Sequence, residues 1–281
     1  MQAARATTMT EPFQPLEIEI VRHRRLLWMI LKHEVRARYV GSALGFFWAI
    51  IHPLILLGLY ILVFSALMPS GSRLPIRDTT ANYAVFLCPA LFAWNWLYES
   101  LVSACHSVTS HSALIRKVVF PSGILPLVSV GVGILPFAVV LSVFILFALA
   151  SGAIAAKGLF WLPLLVLLQC GLALGPAYLL AVMNVFLRDT AQVVVALLQV
   201  LFWATPIVYP ATALTNQFSW LGWWFALNPV ARLVEAYRDV IVAGRPPATE
   251  SVLYLGCLAI LLYYVGRTVF ERSRSQLVDE A

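Results

Sequence analysis

Charged residues are scarce in this chain. Of its 281 residues only 11% are charged and 61% are hydrophobic, whereas a soluble domain carries about 25% charged residues. This balance excludes an ordinary soluble globular protein. We predict no nucleic-acid partner, because attraction to anionic lipid headgroups accounts for the formal net charge of +6.

Motifs for catalysis and for metal or nucleotide binding are lacking as well. The four cysteines form no C-x-x-C pair and the five histidines no H-E-x-x-H pair, so we predict neither a disulfide framework nor a metal site. No lysine follows the glycine of a phosphate-binding loop. Glu99 is the only acidic residue well inside an apolar stretch, which argues against an intramembrane acid–base pair. We therefore expect no enzyme activity, catalytic residue, metal or cofactor on this chain.

Long apolar stretches are abundant. An α-helix needs about 20 residues to cross about 30 Å of hydrocarbon, and lipid offers the backbone no hydrogen-bond partner outside the helix. We therefore predict an all-α membrane protein with six transmembrane helices. The apolar stretches cover residues 44–68, 83–102, 125–150, 160–183, 193–208 and 252–265.

The distribution of Lys and Arg predicts the orientation. With a cytoplasmic amino terminus, 13 of the 19 basic residues lie on the inner side, as the positive-inside rule requires. Both termini are then cytoplasmic. The predicted organisation is a cytoplasmic segment 1–43, a transmembrane domain 44–270 and a cytoplasmic tail 271–281.

Residues 17–39 show the pattern of an amphipathic helix. Apolar side chains such as Leu27 and Leu31 recur on one side at helical spacing, and basic residues gather on the neighbouring side. Such a helix lies at the interface of an anionic leaflet, with membrane lipids as partners; a plain juxtamembrane anchor is the alternative. The interfacial residues predicted here are Arg22, Arg25, Trp28, Lys32, Arg36, Arg38 and Tyr39.

A predicted cytoplasmic loop carries a second short helix, at about 110–121. It combines a basic pair with apolar flanks, and Pro121 ends it because the residue before a proline avoids helical geometry. This pattern suits docking onto a protein groove; a positively charged loop that only sets topology is the alternative. The docking residues predicted are Leu114, Ile115, Arg116, Lys117, Val118 and Phe120.

The predicted outer loop before the last span, at about 210–245, contains a further pair of short helices. Asn228 and Pro229 form a helix start, apolar residues follow on one face, and Gly244 marks the end. We predict that this pair dips into the outer leaflet and returns, with polar residues on the side opposite the apolar face. The residues singled out are Asn228, Pro229, Arg232, Glu235, Tyr237 and Asp239.

Five strings in order resemble a known family. They are RYVGSALGFFWA leading to HPL (38–54), LIRKVVFP (114–121), NVFLRD (184–189), FWATPIVYP (202–210) and LNP (227–229). The chain resembles the ABC-2-type permease subunits of polysaccharide exporters, which carry O-antigen, teichoic acid or capsule. The strings at 184–189 and 202–210 favour the O-antigen branch.

The resemblance implies a transport subunit in the bacterial inner membrane. Two copies would pair, and two separate ATP-binding cassette subunits, holding ATP and Mg, would bind beneath them at the coupling helix 110–121. A lipid-linked polysaccharide would enter beside residues 17–39, cross between the copies and leave under the outer helices. Aromatic rings would let a sugar chain slide without a deep trap, although aromatic residues also gather at any membrane interface. The channel-lining residues predicted are Phe47, Trp48, Tyr60, Phe64, Phe202, Trp203 and Tyr209.

Two other functions fit parts of the pattern. The first is an ABC-2 exporter with the same architecture and a drug or small lipid as cargo. The second is a membrane-embedded glycan-processing enzyme, against which the missing acid–base pair argues.

Overall fold

The computed structural model describes residues 16–38, 45–48, 51, 54–55, 58–59, 62, 74–76, 79–112, 121–154 and 156–280. This part of the chain is helical apart from turns and one short antiparallel hairpin, which confirms the predicted all-α class. The hairpin pairs β1 (Leu74–Ile76) with β2 (Thr79–Ala81). Most of the predicted first span, 44–68, lies outside the described residues.

The helices are numbered in chain order. Two helices, α1 (Leu16–Arg22) and α2 (Arg24–Ala37), form the predicted amphipathic segment, with a turn at His23 between them. The others are α3 (Tyr83–Ser107), α4 (Ile124–Val132), α5 (Ile134–Ala150), α6 (Leu162–Phe186), α7 (Thr190–Ala204), α8 (Ala211–Thr215), α9 (Trp220–Leu227), α10 (Pro229–Ile241) and α11 (Thr249–Glu280).

Four helical segments are long and apolar enough to cross a membrane: Tyr83–Ser107, Ile124–Ala150, Ala156–Phe186 and Thr249–Leu277. They coincide with the predicted second, third, fourth and sixth spans. The predicted fifth span, 193–208, is helical only to Ala204, so α7 is a shorter apolar helix. It stops there because Pro206 forces Thr205 into an extended conformation.

The last helix is longer than its apolar stretch. α11 continues without a break to Glu280, so the residues predicted as a cytoplasmic tail extend the helix beyond the predicted sixth span. Two glycines one turn apart on α6, Gly171 and Gly175, allow α11 to pack closely against α6. A Cβ atom at Gly175 would overlap the backbone of Leu262, and small residues at this spacing are typical of close helix pairs in membranes.

Each end of the molecule is built from a different set of elements. The main apolar core surrounds α3 and reaches α10. A smaller cluster, containing Tyr178, Phe270 and Leu277, lies at the other end of α6 and α11, with Ile20 of α1 packed against it. We refer to the two ends as the α10 end and the α2 end. In the predicted topology they are the outer and the cytoplasmic ends.

Candidate functional site

The start of α10 is capped as predicted. The Asn228 side-chain oxygen accepts hydrogen bonds from the backbone N–H groups of Val230 at 2.9 Å and Ala231 at 3.3 Å, and Pro229 occupies the first turn. The Asn228 amide donates to the Thr205 hydroxyl at 2.9 Å, so the cap also ties α10 to the chain after α7. The helix ends at Ile241, and Gly244 takes the left-handed conformation three residues later, with φ of 64°.

Arg238 is the residue that sequence reasoning missed. Its guanidinium is buried and donates to three carbonyl oxygens, those of Phe86 at 3.1 Å, Pro206 at 2.9 Å and Ile207 at 2.7 Å. It also lies 3.6 Å from the centre of the Phe86 ring, a cation–π contact. Burial lowers the pKa of Arg238 to about 9, and the nearby Glu235 carboxylate opposes that change. The helical spacing could have found it, because position 238 shares the apolar face of α10 with Val234 and Ile241.

Asp239 lies on the predicted polar side of α10, but it is not exposed there. Its side chain is buried, and one carboxylate oxygen accepts from Arg245 Nε at 3.0 Å and Nη2 at 2.7 Å. The reason is tertiary: the loop after α10 folds back and brings Arg245 onto the carboxylate. Glu235 is exposed, as predicted for the polar side.

Arg232 is held at the junction of α9, α10 and α11. It is half-buried, with Nε donating to the Ala226 carbonyl at 2.6 Å and Nη1 to the Ser251 hydroxyl at 3.4 Å. Its guanidinium lies 5.2 Å from the centre of the Tyr254 ring. With Glu235 and Glu250 it borders an open pocket of about 270 Å³. Tyr237 differs again, since it is buried in the core.

Residues 203–208 comprise the last two residues of α7 and the irregular backbone that follows, and most of their carbonyl groups accept hydrogen bonds from side chains. The Trp203 carbonyl accepts from the Tyr209 hydroxyl at 2.7 Å, and that of Ala204 from Trp224 Nε1 at 2.8 Å. Arg238 donates to the carbonyls of Pro206 and Ile207, as described above, and the Tyr83 hydroxyl donates to that of Val208 at 3.1 Å. Irregular backbone at membrane depth is tolerated where protein groups satisfy it, and α3, α9 and α10 do so here.

The predicted channel aromatics separate into three groups. Phe47, Trp48 and Trp203 are exposed, which is the position a lining residue needs. Phe202 is buried, with its ring 5.5 Å from that of Trp94, so it is a core residue of this protomer and the lining prediction is wrong for it. Tyr209 is half-buried. Tyr60 and Phe64 lie outside the described residues.

At the α2 end, an ion pair and a carboxylate–imidazole contact join α2 to other described parts of the chain. Arg38, which follows α2, donates to Glu99 of α3 at 2.9 Å, and Glu34 lies 3.2 Å from His111. The apolar side of α2 packs on α4 at a point where a Cβ atom on Gly131 would lie 3.0 Å from a Leu31 methyl group. The partners of Leu31, Glu34 and Arg38 lie far from them in the sequence, so no local pattern indicates these contacts.

The predicted interfacial side chains remain accessible on this helix pair. Every residue of α2 is at least partly exposed. The predicted residues that are exposed are Arg22, Arg25, Trp28, Lys32, Arg36 and Arg38. Tyr39 lies outside the described residues. A cavity of about 260 Å³ lies between α2, α3 and α4, bordered by Arg38, His106 and Ser129 among others.

The predicted docking residues, Leu114, Ile115, Arg116, Lys117, Val118 and Phe120, also fall outside the described residues. Both flanks of that segment are described. On one side His111 contacts Glu34 of α2, and on the other Ser122 accepts from buried Arg274 of α11 at 3.4 Å. The segment 113–120 therefore connects two points that are attached to α2 and to α11.

The sequence model of the ABC-2 type transporter family matches residues 25–242. The chain belongs to the ABC-2 type transporter family. The match begins in α2 and ends after α10, so it includes both the α2 end and the 203–208 segment. The predicted resemblance is confirmed.

Similar ABC-2 proteins align over most of this chain. The O-antigen export system permease protein RfbA of Myxococcus xanthus is 28% identical over 261 residues, covering 93% of this chain and 97% of the relative. RfbA of Klebsiella pneumoniae is 28% identical over 258 residues, with 90% and 94% covered. The polysialic acid transport protein KpsM of Escherichia coli is 24% identical over 257 residues, with 86% and 91% covered.

Proposed function

We propose that this ABC-2 protein is the membrane-spanning subunit of an ATP-driven exporter of a lipid-linked polysaccharide, with O-antigen as its cargo. The observation that carries the proposal is similarity over nearly the whole chain to two O-antigen export permeases. The aligned length includes both the helices at the α2 end and those at the α10 end, so a common mechanism needs no added or missing part.

The proposed assembly contains two copies of this chain and two ATP-binding cassette subunits, which hold ATP and Mg. Six spans cross the bacterial inner membrane, with both termini in the cytoplasm. The grouping of α1, α2, the turn Thr109–His111 and the end of α11 at one end of the molecule supports this orientation. These elements flank the basic segment 113–120, which places Lys and Arg on the inner side.

The proposed path for the polymer runs between the two copies. Phe47, Trp48 and Trp203 expose aromatic rings that suit it, since a ring contacts the C–H face of a sugar without holding it at one position. Weak, repeated contacts of this kind allow a polymer to pass. The outer helices α8–α10 then cover the exit.

Deletion of the gene tests the cargo. We expect loss of O-antigen from the cell surface and accumulation of lipid-linked polymer inside, restored by the wild-type chain. Normal surface glycan in the deletion strain would contradict the proposal and favour an exporter of a drug or small lipid. A changed glycan structure in place of an internal polymer would favour a glycan-processing enzyme.

Capsular polysaccharide is the second candidate cargo, because the polysialic acid transport protein KpsM is also similar to this chain. The same deletion strain separates the two cargoes. Staining for capsule and for O-antigen is done in parallel, and the glycan that disappears from the surface identifies the cargo. Teichoic acid is tested in the same way in a Gram-positive host.

Replacing both Arg116 and Lys117 with Glu tests the proposed docking segment. We expect the chain to insert at its normal level while binding of the ATPase subunit and export both fall, because the reversed charge opposes docking. Reversal of Arg272, an exposed arginine on α11, is the matched control. Unchanged export in the Arg116/Lys117 variant would mean that this segment only sets topology.

A further inference from the structure

The 203–208 segment is attached by side-chain hydrogen bonds to the outer helices and to α3. Its carbonyls at 203, 204, 206, 207 and 208 accept from five donor groups on Tyr209, Trp224, Arg238 and Tyr83. The Thr205 hydroxyl accepts from Asn228. Three of these partners belong to α9, α10 or their junction, which with α8 we call the outer cap, residues 211–241.

Arg238 is the centre of this attachment. It contacts both the segment, through Pro206 and Ile207, and α3, through the carbonyl and ring of Phe86. A guanidinium presents its donors in a fixed planar fork, so it fixes the relative positions of all three carbonyls. The site is buried, and water cannot replace a donor that is lost there.

We propose that Arg238 is a positioning residue that makes the outer cap and the end of α7 one rigid unit. The exit then opens by movement of this whole unit relative to the second copy. The cap does not swing away from α7, because that motion would expose several buried carbonyls at once. The inference rests on the proposed function and specifies how its exit works.

A reversible bond between the cap and the segment tests the rigid unit. Thr205→Cys and Asn228→Cys place thiols on two short side chains whose polar atoms are 2.9 Å apart, and Cys257→Ser removes the exposed native thiol. Surface glycan is measured with the disulfide closed and after reduction. We expect equal export in both states. Export that stops with the closed bond and resumes on reduction would overturn the inference.

The same bond tests the role of Arg238. We expect Arg238→Met to insert normally but to lower export about tenfold, since several buried carbonyls lose their donor. Closing the 205–228 disulfide in this variant should restore export. If Arg238→Met acted only through a general loss of stability, a single bond at this place would not restore it. Arg272→Met, on the exposed face of α11, is the matched control. Full export by Arg238→Met would overturn the positioning role.

A conservative variant covers the case in which Arg238→Met fails to insert. Arg238→Lys keeps the charge but cannot reach three carbonyls with a planar fork, so we expect intermediate export that the closed disulfide raises. An equal loss with the bond open and closed would overturn the inference. Failure of the proposed function gives a different result, because the wild-type chain would then restore no glycan to the surface of the deletion strain.

Discussion

The contacts that hold α10 in place differ in kind from those that hold α2. At the α10 end, Arg238 and Asp239 are buried and their partners are carbonyl groups or a second charge within the protein. At the α2 end, the pair between Arg38 and Glu99 is about one-third to one-half exposed, and every residue of α2 is at least partly exposed. Exposed ion pairs stabilise by about 0–1 kcal/mol, whereas breaking a buried charged contact costs about 3–5 kcal/mol.

From this difference we infer that the outer cap is held rigidly and that α2 can change position. Contacts that cost little to break allow α2 to change position at a low cost in free energy. Contacts that leave buried carbonyls unsatisfied when broken keep the outer cap in place. The proposed exporter, driven by ATPase subunits at its α2 end, would need both properties, because movement produced at one end must reach the other through parts that do not deform.

The largest expected effect is at Gly158, in the turn Ala156–Trp161 that packs on the outer helices. A Cβ atom there would overlap the Val240 carbonyl oxygen and lie 2.9 Å from Gly244, so we expect Gly158→Ala to lower the free energy of unfolding by about 3 kcal/mol or more. Gly131→Ala is the matched control at the α2 end. Its Cβ meets only a flexible Leu31 methyl group, and thermal unfolding in detergent should show less than about 1 kcal/mol. Equal losses would contradict the comparison.

Arg238→Lys comes next. We expect a loss of about 2–4 kcal/mol, because one ammonium group leaves at least one buried carbonyl without a donor. The control is Arg267→Lys on α11, whose partner Glu271 is one turn away and partly exposed; an exposed pair of this spacing is worth about 0.3–0.5 kcal/mol. Unfolding midpoints of the two purified variants measure the difference. A similar shift for both would show that burial of Arg238 adds nothing.

The cap at Asn228 gives a smaller effect. Asn228→Ala removes two cap bonds and the bond to Thr205, and we expect a loss of about 1–2 kcal/mol. Asp189 holds the corresponding position before α7 but makes no side-chain cap bond, so Asp189→Ala should cost about 0.5 kcal/mol through the helix dipole alone. Thermal unfolding of both variants under the same conditions decides between them.

The smallest effect on stability is expected for the ion pair at the α2 end. Reversing Arg38 to Glu or Glu99 to Arg should each cost less than about 1 kcal/mol, and the double reversal should restore the pair. The coupling between the two changes should decrease in high salt. A double-mutant cycle of unfolding midpoints measures it, and a coupling as large as the Arg238 effect would remove the proposed contrast between the two ends.

Sequence periodicity predicts the positions of the helices, because helix formation depends on residues that are close together in the chain. Apolar length predicts which segments cross a membrane, and Asn228 with Pro229 predicts where α10 begins, since a cap involves residues only two or three positions apart. The end of α7 was missed, although Pro206 indicated it, because apolar residues continue to Val208. The break at Gly133, between α4 and α5, was likewise hidden within an uninterrupted apolar stretch.

The burial of Asp239 and Phe202 could not be derived in the same way. Asp239 occupies a polar position on α10, yet Arg245 from the next loop covers it. Phe202 and Trp203 are neighbours of similar character, but one packs on Trp94 and the other faces outward. A helix wheel predicts neither outcome, because the partner of Asp239 lies in the following loop and that of Phe202 lies on α3.

The sequence by itself determined that this chain is an all-α membrane protein of the ABC-2 kind, because apolar length, basic bias and short motifs are properties of neighbouring residues. Only the tertiary structure decided that Arg238 joins α10 to α3 and to the 203–208 segment, and that α2 is attached through Glu34 and Arg38. Those contacts join residues 31 to 152 positions apart. They exist because a buried backbone must find hydrogen-bond partners wherever the fold brings them.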